Sequence, residues 1–478
     1  MRFDVIVRNA TVIDGTRAPR YQADVGVSGD RIASIGSLKN QQANTEIDAA
    51  GKILSPGFID AHTHDDRLML SAPEMAPKVS QGVTTVVAGN CGISLAPLVL
   101  GNRAAPPPLD LIGDTTWYRF GSFSEYVKTL EENPAATNAA LLVGHTTLRV
   151  ATMQHLDSPA TPGEIEAMKK LVEEALNAGA IGVSTGLYYE PARSAPTEEV
   201  IEVCRPLTAR KALYCTHMRD EGDHVTDSLE ETFRIGRELN VPVVVSHHKV
   251  VGTPNHGRSK ETLSLITERM KSQGIGLDCY PYCASSTILS ADRAAVGTKT
   301  LVTWSKPHPE YAGMDLAVIA EKMNLSIEKT TQKLFPAGAI YFTMDEADVQ
   351  RVLAFEHTMV GSDGLPHDAA PHPRLWGTFP RVLGHYSRGL GLFPLETAVY
   401  KMTGLTARTY GLKDRGVLKE GAYADLCLFD AATVDEAATF ARPIQPAKGI
   451  EAVIVNGAVT WRDGRSTGAR PGRVLRRH

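Results

Sequence analysis

The chain has 478 residues, 43% of them hydrophobic and 22% charged, and a formal net charge of −4. That balance is the average of a soluble globular protein and leaves no electrostatic footprint for nucleic acid or an anionic membrane surface. No apolar run approaches the roughly 20 residues of a membrane span, and there is length enough for an α/β barrel of about 250 residues with a further domain beside it.

The first residues, MRFDVIVRNATVIDG, alternate and turn as a strand and hairpin do, without the basic start, apolar middle and small-residue cleavage site of a secretory signal. Next comes PGFIDAHTHDDR, Pro56 to Arg67, an apolar strand that ends in two histidines. Residues i and i+2 of a strand share a face, so His62 and His64 aim into one space while Thr63 points away. Asp65 and Asp66 either orient those imidazoles or cap the next helix.

A second apolar strand ends in GNCG around Cys91 and is followed by a Pro-rich loop, PLVLGNRAAPPPLDLIGDTTW. AALLVGHTT brings His145 to a third strand end. In TPGEIEAMKKLVEEALNAG, Thr161 caps a helix and Glu164 completes a capping box. Pro162 suits the first turn, and Gly179 offers the left-handed stop. AIGVSTGLYY closes on Tyr188 and Tyr189, ALYCTHMRDE on His217, PVVVSHHKV on His247 and His248, IGLDCYPY on Tyr280 and Tyr282, and TMVGSDG on Asp363. HVTDSLEETFRIGRELN is a second amphipathic helix, with Val225, Leu229, Phe233 and Leu239 on one face.

Eight strands alternating with helices predict a (β/α)₈ TIM-like barrel over residues 57–415. The long stretch between the seventh and eighth strands, with helical pieces such as SIEKTTQKL, predicts an inserted lid subdomain over 284–340. Val5 to Arg17 and Ala452 to Arg465 resemble each other as paired strands with Asp-Gly turns. They predict one small β-sandwich domain built from both termini, residues 1–56 plus 416–478. The six cysteines, Cys91, Cys204, Cys215, Cys279, Cys283 and Cys427, are scattered through the chain, which reads as reduced thiols and a cytoplasmic location.

A single strand-end histidine is more often a hydrogen-bonded core residue than a ligand. Eight strands of a barrel nevertheless present their C-terminal ends to one mouth, and here those ends carry His, Cys and Asp. Cys91 with His217 and His247 offers the sulfur and nitrogen donors that zinc prefers, leaving a fourth position for water. His62 and His64 aim at the same mouth. His248 must point the other way and reads as structural, and Asp363 is placed to accept a proton from water activated by the metal.

HTHDD, GNCG, STGLYY, HMRDE, SHHK, DCYPY and GSDG, in this order, resemble the amidohydrolase superfamily and within it the N-acyl-D-amino-acid deacylase branch. The resemblance spans essentially the whole chain. It implies a tightly held zinc on Cys91, His217 and His247, and a second, weaker metal position by His62, His64 and Asp363 that Cys91 can bridge. It also implies Asp363 as general base and then acid, and a substrate pocket at Tyr189, Lys249, Tyr280, Ser286, Tyr341, Met344 and Arg374. The expected partner is a small N-acyl amino acid, with neither nucleic acid nor membrane involved. The expected reaction is hydrolysis of its linear amide, Lys249 and Arg374 being the candidates to hold the substrate carboxylate. The alternative is a cyclic-amide hydrolase of the hydantoinase or dihydroorotase kind. Relatives of that kind bridge two metals with a carboxylated lysine from the fourth strand, and AIGVSTGLYY has no lysine. A catalytically dead scaffold would have eroded ligands, and none is missing.

Overall fold

The structure, a computed structural model, describes residues 2–477. Its centre is a parallel sheet whose eight strands follow one another in chain order: β1 (Phe58–Asp60), β2 (Val83–Ala88), β3 (Asn138–Gly144), β4 (Gly182–Gly186), β5 (Leu213–His217), β6 (Val243–Val245), β7 (Ile275–Cys279) and β8 (Thr358–Val360). The sheet closes on itself where Ala61 N–H donates to the Val360 carbonyl at 3.1 Å and Asp363 N–H to the His62 carbonyl at 2.8 Å. All eight strands expected from the sequence are present in the expected order.

Strand alternation sorts the apolar residues into two cores. Ile59, Val87, Leu142, Val244 and Met359 share one cluster with Tyr410, Leu412 and Leu475, which stop the lower end of the barrel. Their neighbours Phe58, Val86, Leu141, Val143, Val243, Val245 and Val360 belong to a second cluster with the surrounding helices. Helix Pro162–Ala178 starts on the Thr161/Glu164 capping box, stops at Gly179 with φ +114°, and buries Met168, Val172 and Ala175. Helix Val225–Leu239 buries Val225, Leu229, Phe233 and Leu239.

The sandwich expected of the termini takes the form of one continuous nine-stranded sheet. Its path runs from Arg465–Ser466 through Ala458–Arg462, Ile450–Val455, Leu426–Phe429, Ile53–Pro56, Arg2–Val12 and Tyr21–Ser28 to Arg31–Gly36, with Gln42–Asp48 pairing parallel to Arg2–Val12. Val5, Val7, Val25 and Ile47 from the first half share a cluster with Leu426, Leu428 and Ile454 from the second. The chain end returns to the barrel, where Val474–Leu475 pairs with β3 at Ala139 and Ala140.

The insert between β7 and β8 holds more than the expected helices. Strands Ala284–Ile288, Thr300–Ser305 and Ala337–Phe342 form an antiparallel sheet with the last of them in the middle. Helices Leu316–Met323 and Ile327–Leu334 pack on it through Leu316, Ile319 and Leu334. Phe440, from the terminal domain, packs at a tilt against Phe342 with ring centroids 4.8 Å apart. Among the described residues no helix is long and apolar enough to cross a membrane.

Candidate metal centre

The strand-end motifs place their side chains through unusual backbone. Cys91, His247 and Asp363 follow β2, β6 and β8, and all three have positive φ, at 53°, 38° and 49°. Such conformations cost on the order of 1–3 kcal/mol each and persist where surrounding structure enforces them. Two glycines enforce the turn around Cys91. A Cβ on Gly89 (φ +82°) would lie 2.0 Å from the Leu142 carbonyl oxygen, and one on Gly92 (φ +75°) would lie 2.6 Å from Thr146 Oγ1. The two glycines of GNCG therefore let this strand pass close to β3 and still turn its thiol inward.

Two groups of donor atoms result, each with all its members within 4.8 Å of one another: His62, His64, Cys91 and Asp363, and Cys91, His217 and His247. Cys91 is common to both. Its Sγ stands 3.3 Å from His62 Nε2 and 3.3 Å from His247 Nε2, which is 2.9 Å from His217 Nδ1. Asp363 Oδ1 lies 3.2 Å from His64 Nε2 and 3.6 Å from His62 Nε2. The six residues predicted as ligands thus come together in one buried cluster.

Burial disfavours a charge on three of the imidazoles: it lowers His62 to about 3, carries His217 well below the ordinary range and lowers His247. The same burial raises the Cys91 thiol, so a thiolate there calls for a cation beside it. For Asp363 burial acts upward. It is outweighed by the Arg374 guanidinium, whose Nη1 lies 2.9 Å from Oδ2, and by the imidazoles, so the carboxyl stays well below its usual range. Imidazole nitrogens, one thiol and one carboxylate, gathered around a shared Cys91 Sγ, are a donor set that fits a zinc ion.

The predicted pocket residues divide. Arg374, fully buried, donates through Nη2 to the Ser286 carbonyl at 3.2 Å and lies 4.4 Å over the Tyr280 ring. Tyr280 Oη and Ser286 Oγ are buried without hydrogen-bond partners among the described residues. Lys249 Nζ is 2.6 Å from Glu221 and 2.7 Å from His247 Nδ1. Tyr189 packs on His217 with centroids 5.0 Å apart and its hydroxyl meets Thr287 Oγ1 at 2.9 Å. Met344 lines a small cavity with His247, Lys249 and Tyr280. Tyr341 belongs to the insert's own core, its hydroxyl accepting from Ser290 N–H at 2.7 Å and donating to the Ile288 carbonyl at 2.8 Å.

Other expectations resolve as follows. His248 does point away, to Thr262 Oγ1 at 2.8 Å. His145 also turns from the mouth, to Glu199 at 3.5 Å. Neither aspartate after HTH caps the helix over Leu68–Ser71, which starts at Arg67. Asp65 pairs with the buried Lys78 at 3.3 Å, and Asp66 accepts the Gly89 N–H at 3.1 Å, bracing the turn into Cys91. Two carboxylates went unassigned in the sequence. Asp278 accepts His247 N–H at 3.0 Å and lies 3.5 Å from His62 Nδ1, and Glu221 stands behind His217 and His247. A carboxylate inside the apolar strand IGLDC, and another four residues past His217, were the available signals.

The sequence profile described as Amidohydrolase family matches residues 45–278 and 349–461. A D-aminoacylase of Alcaligenes xylosoxydans xylosoxydans is 58% identical over 475 residues, covering 99% of this chain and 98% of that protein. An N-acyl-D-aspartate deacylase of the same organism is 53% identical, covering 99% and 95%. The crystal structure of an N-acyl-D-glutamate deacylase from Bordetella bronchiseptica, complexed with zinc and a phosphonate mimic of the tetrahedral intermediate, superposes with a TM-score of 0.96 at 45% identity over all of both chains.

Proposed function

The chain belongs to the amidohydrolase family, and from that premise we propose that it is a zinc-dependent hydrolase of N-acyl-D-amino acids, cleaving the amide to a carboxylate and a free D-amino acid. The observation that carries this reading is the meeting of both donor groups on Cys91 at the C-terminal ends of the strands, where barrels of this kind place their chemistry. We assign the tight zinc position to Cys91, His217 and His247, and the weaker second position to His62, His64 and Asp363 with Cys91 shared. Zinc bound there supplies Lewis acidity, polarising the amide carbonyl and making water nucleophilic near neutral pH.

The residues of the chain do the rest. Asp363 accepts the proton of the attacking water and hands it to the leaving nitrogen, a carboxylate serving as base and then acid. Arg374 and Lys249 hold the substrate carboxylate, and Tyr280 Oη and Ser286 Oγ are free to hydrogen-bond to the bound substrate. Tyr189 and Met344 form walls, while Tyr341 supports the insert from within its core. The partner is a small N-acyl amino acid, and the scatter of the six cysteines, none paired with another among the described residues, supports a cytoplasmic address. Against a cyclic-amide hydrolase stands the fourth strand, GVSTG over β4, which offers no lysine to bridge two metals.

A panel of N-acetylated D- and L-amino acids, with neutral and acidic side chains, tests the proposal by the amine released. Turnover confined to the D series is expected. Turnover of the L series, or of none while hydantoins are opened, overturns it.

A further inference from the structure

Glu221 lies in HMRDE, four residues after His217, and is buried at the back of the metal cluster. Its Oε1 is 3.1 Å from His247 Nδ1 and its Oε2 is 3.7 Å from His217 Nε2. The opposite edges of the two rings face each other and the thiol: His247 Nε2 lies 2.9 Å from His217 Nδ1 and 3.3 Å from Cys91 Sγ. The two histidines therefore present different nitrogens to the metal position, and one carboxylate stands behind both. His217 Nε2 and Glu221 Oε2 are each buried without a hydrogen-bond partner among the described residues, and they face one another.

We propose that Glu221 is a positioning residue that fixes complementary tautomers of the two histidines. It accepts Nδ1–H from His247 and Nε2–H from His217, so that His247 Nε2 and His217 Nδ1 carry the lone pairs that hold zinc with Cys91. This rests on the assignment of those three residues to the tight zinc. The carboxylate is suited to the task because it is acceptor-only, with an oxygen for each ring. An amide in its place accepts from one ring and turns an NH₂ group toward the N–H of the other. Lys249 Nζ, 2.7 Å from His247 Nδ1, is a second possible partner for that nitrogen. Donation from the lysine would leave Nε2 protonated and unable to bind, and Glu221, 2.6 Å from the same Nζ, offers the lysine another acceptor.

The test is zinc affinity measured by chelator competition on wild type, Glu221→Gln and Arg293→Gln. Arg293 contacts Glu221 Oε2 at 3.7 Å and is not among the residues assigned to zinc or substrate. Glu221→Gln should bind zinc about 10- to 100-fold more weakly, while Arg293→Gln stays within about threefold of wild type. Equal affinity of a folded Glu221→Gln protein and wild type overturns the proposal. Should Glu221→Gln fail to fold, ¹H–¹⁵N correlation of the histidine rings in zinc-loaded wild type decides the matter. Protons on His247 Nδ1 and His217 Nε2, with those sites in hydrogen-bonded shift ranges, are expected. Ligation through the other nitrogen of either ring overturns the inference. Cobalt substituted for zinc distinguishes the underlying reading: without a thiolate-to-cobalt absorption that disappears in Cys91→Ala, the metal assignment itself has failed.

Discussion

Asp363 has two possible tasks, holding a metal and moving a proton, and one substitution separates them. Asp363→Asn should keep zinc on Cys91, His217 and His247 and lose turnover by at least about 10²- to 10⁴-fold, since an amide can neither take nor return the proton. Zinc content and turnover on one preparation check this, and lost zinc with lost turnover would make Asp363 a structural ligand instead. Cys91→Ala should lose most zinc while its circular dichroism stays native, because both donor groups use that thiol and the barrel core does not need it. A fully zinc-loaded variant would remove Cys91 from the site. Such residues could be read from sequence because a strand end fixes where a side chain points. Glu221 and Asp278 are marked in the sequence only as carboxylates in unusual places, because their roles depend on which rings the fold brings in front of them.

At the scale of elements, the insert was readable as an insert from its length and its helices, but its sheet was not. ASSTI, over Ala284–Ile288, is largely polar and reads as a loop until the apolar strand Ala337–Phe342 pairs with it. That strand carries Ser286 and Thr287 to the mouth, so ligand in the site should order the insert. Protease nicking within residues 284–340 should slow at saturating product carboxylate. Unchanged nicking would make the insert a fixed wall. The Pro-rich loop makes a separate prediction. Asp110, in its short turn Leu109–Leu111, is raised from 3.8 to about 7 by burial, and Oδ1 has no hydrogen-bond partner among the described residues. The folded state therefore holds the proton more tightly than the unfolded chain: the penalty for ionisation is absent below about pH 4, grows as pH rises, and is complete above about 7. Asp110→Asn should raise stability by ~1–3 kcal/mol at pH 8, allowing for partial solvent access, and change little at pH 4. An equal effect at both values would refute the assignment.

For the whole molecule, the barrel count and the joining of both termini were visible as pattern, whereas the means of closing the barrel was not. β1 and β8 are three residues each, and their seam is reinforced by a buried cation. Lys78 Nζ donates to Asp60 Oδ2 at 2.9 Å and Ser362 Oγ at 2.8 Å, and Asp60 Oδ1 accepts Ser362 N–H at 2.7 Å. His62 stands two residues beyond Asp60 and Asp363 one beyond Ser362, so the clasp holds both ligand-bearing turns. Lys78→Met would strand two buried carboxylates and should cost about 3–5 kcal/mol. Unfolding of the metal-free protein measures it, and a loss under about 1 kcal/mol would show the seam holding without the cation.

The terminal sheet imposes an order of events on synthesis. Ile53–Pro56 forms its apolar edge until Leu426–Phe429 pairs with it, and the ribosome must add some 370 residues in between. At roughly 5–20 residues per second that edge waits on the order of tens of seconds, open to pairing with another nascent chain. The barrel is translated during that delay, so a complete mouth can exist before the domain beside it does. Yield of this protein should therefore depend on how crowded its polysomes are.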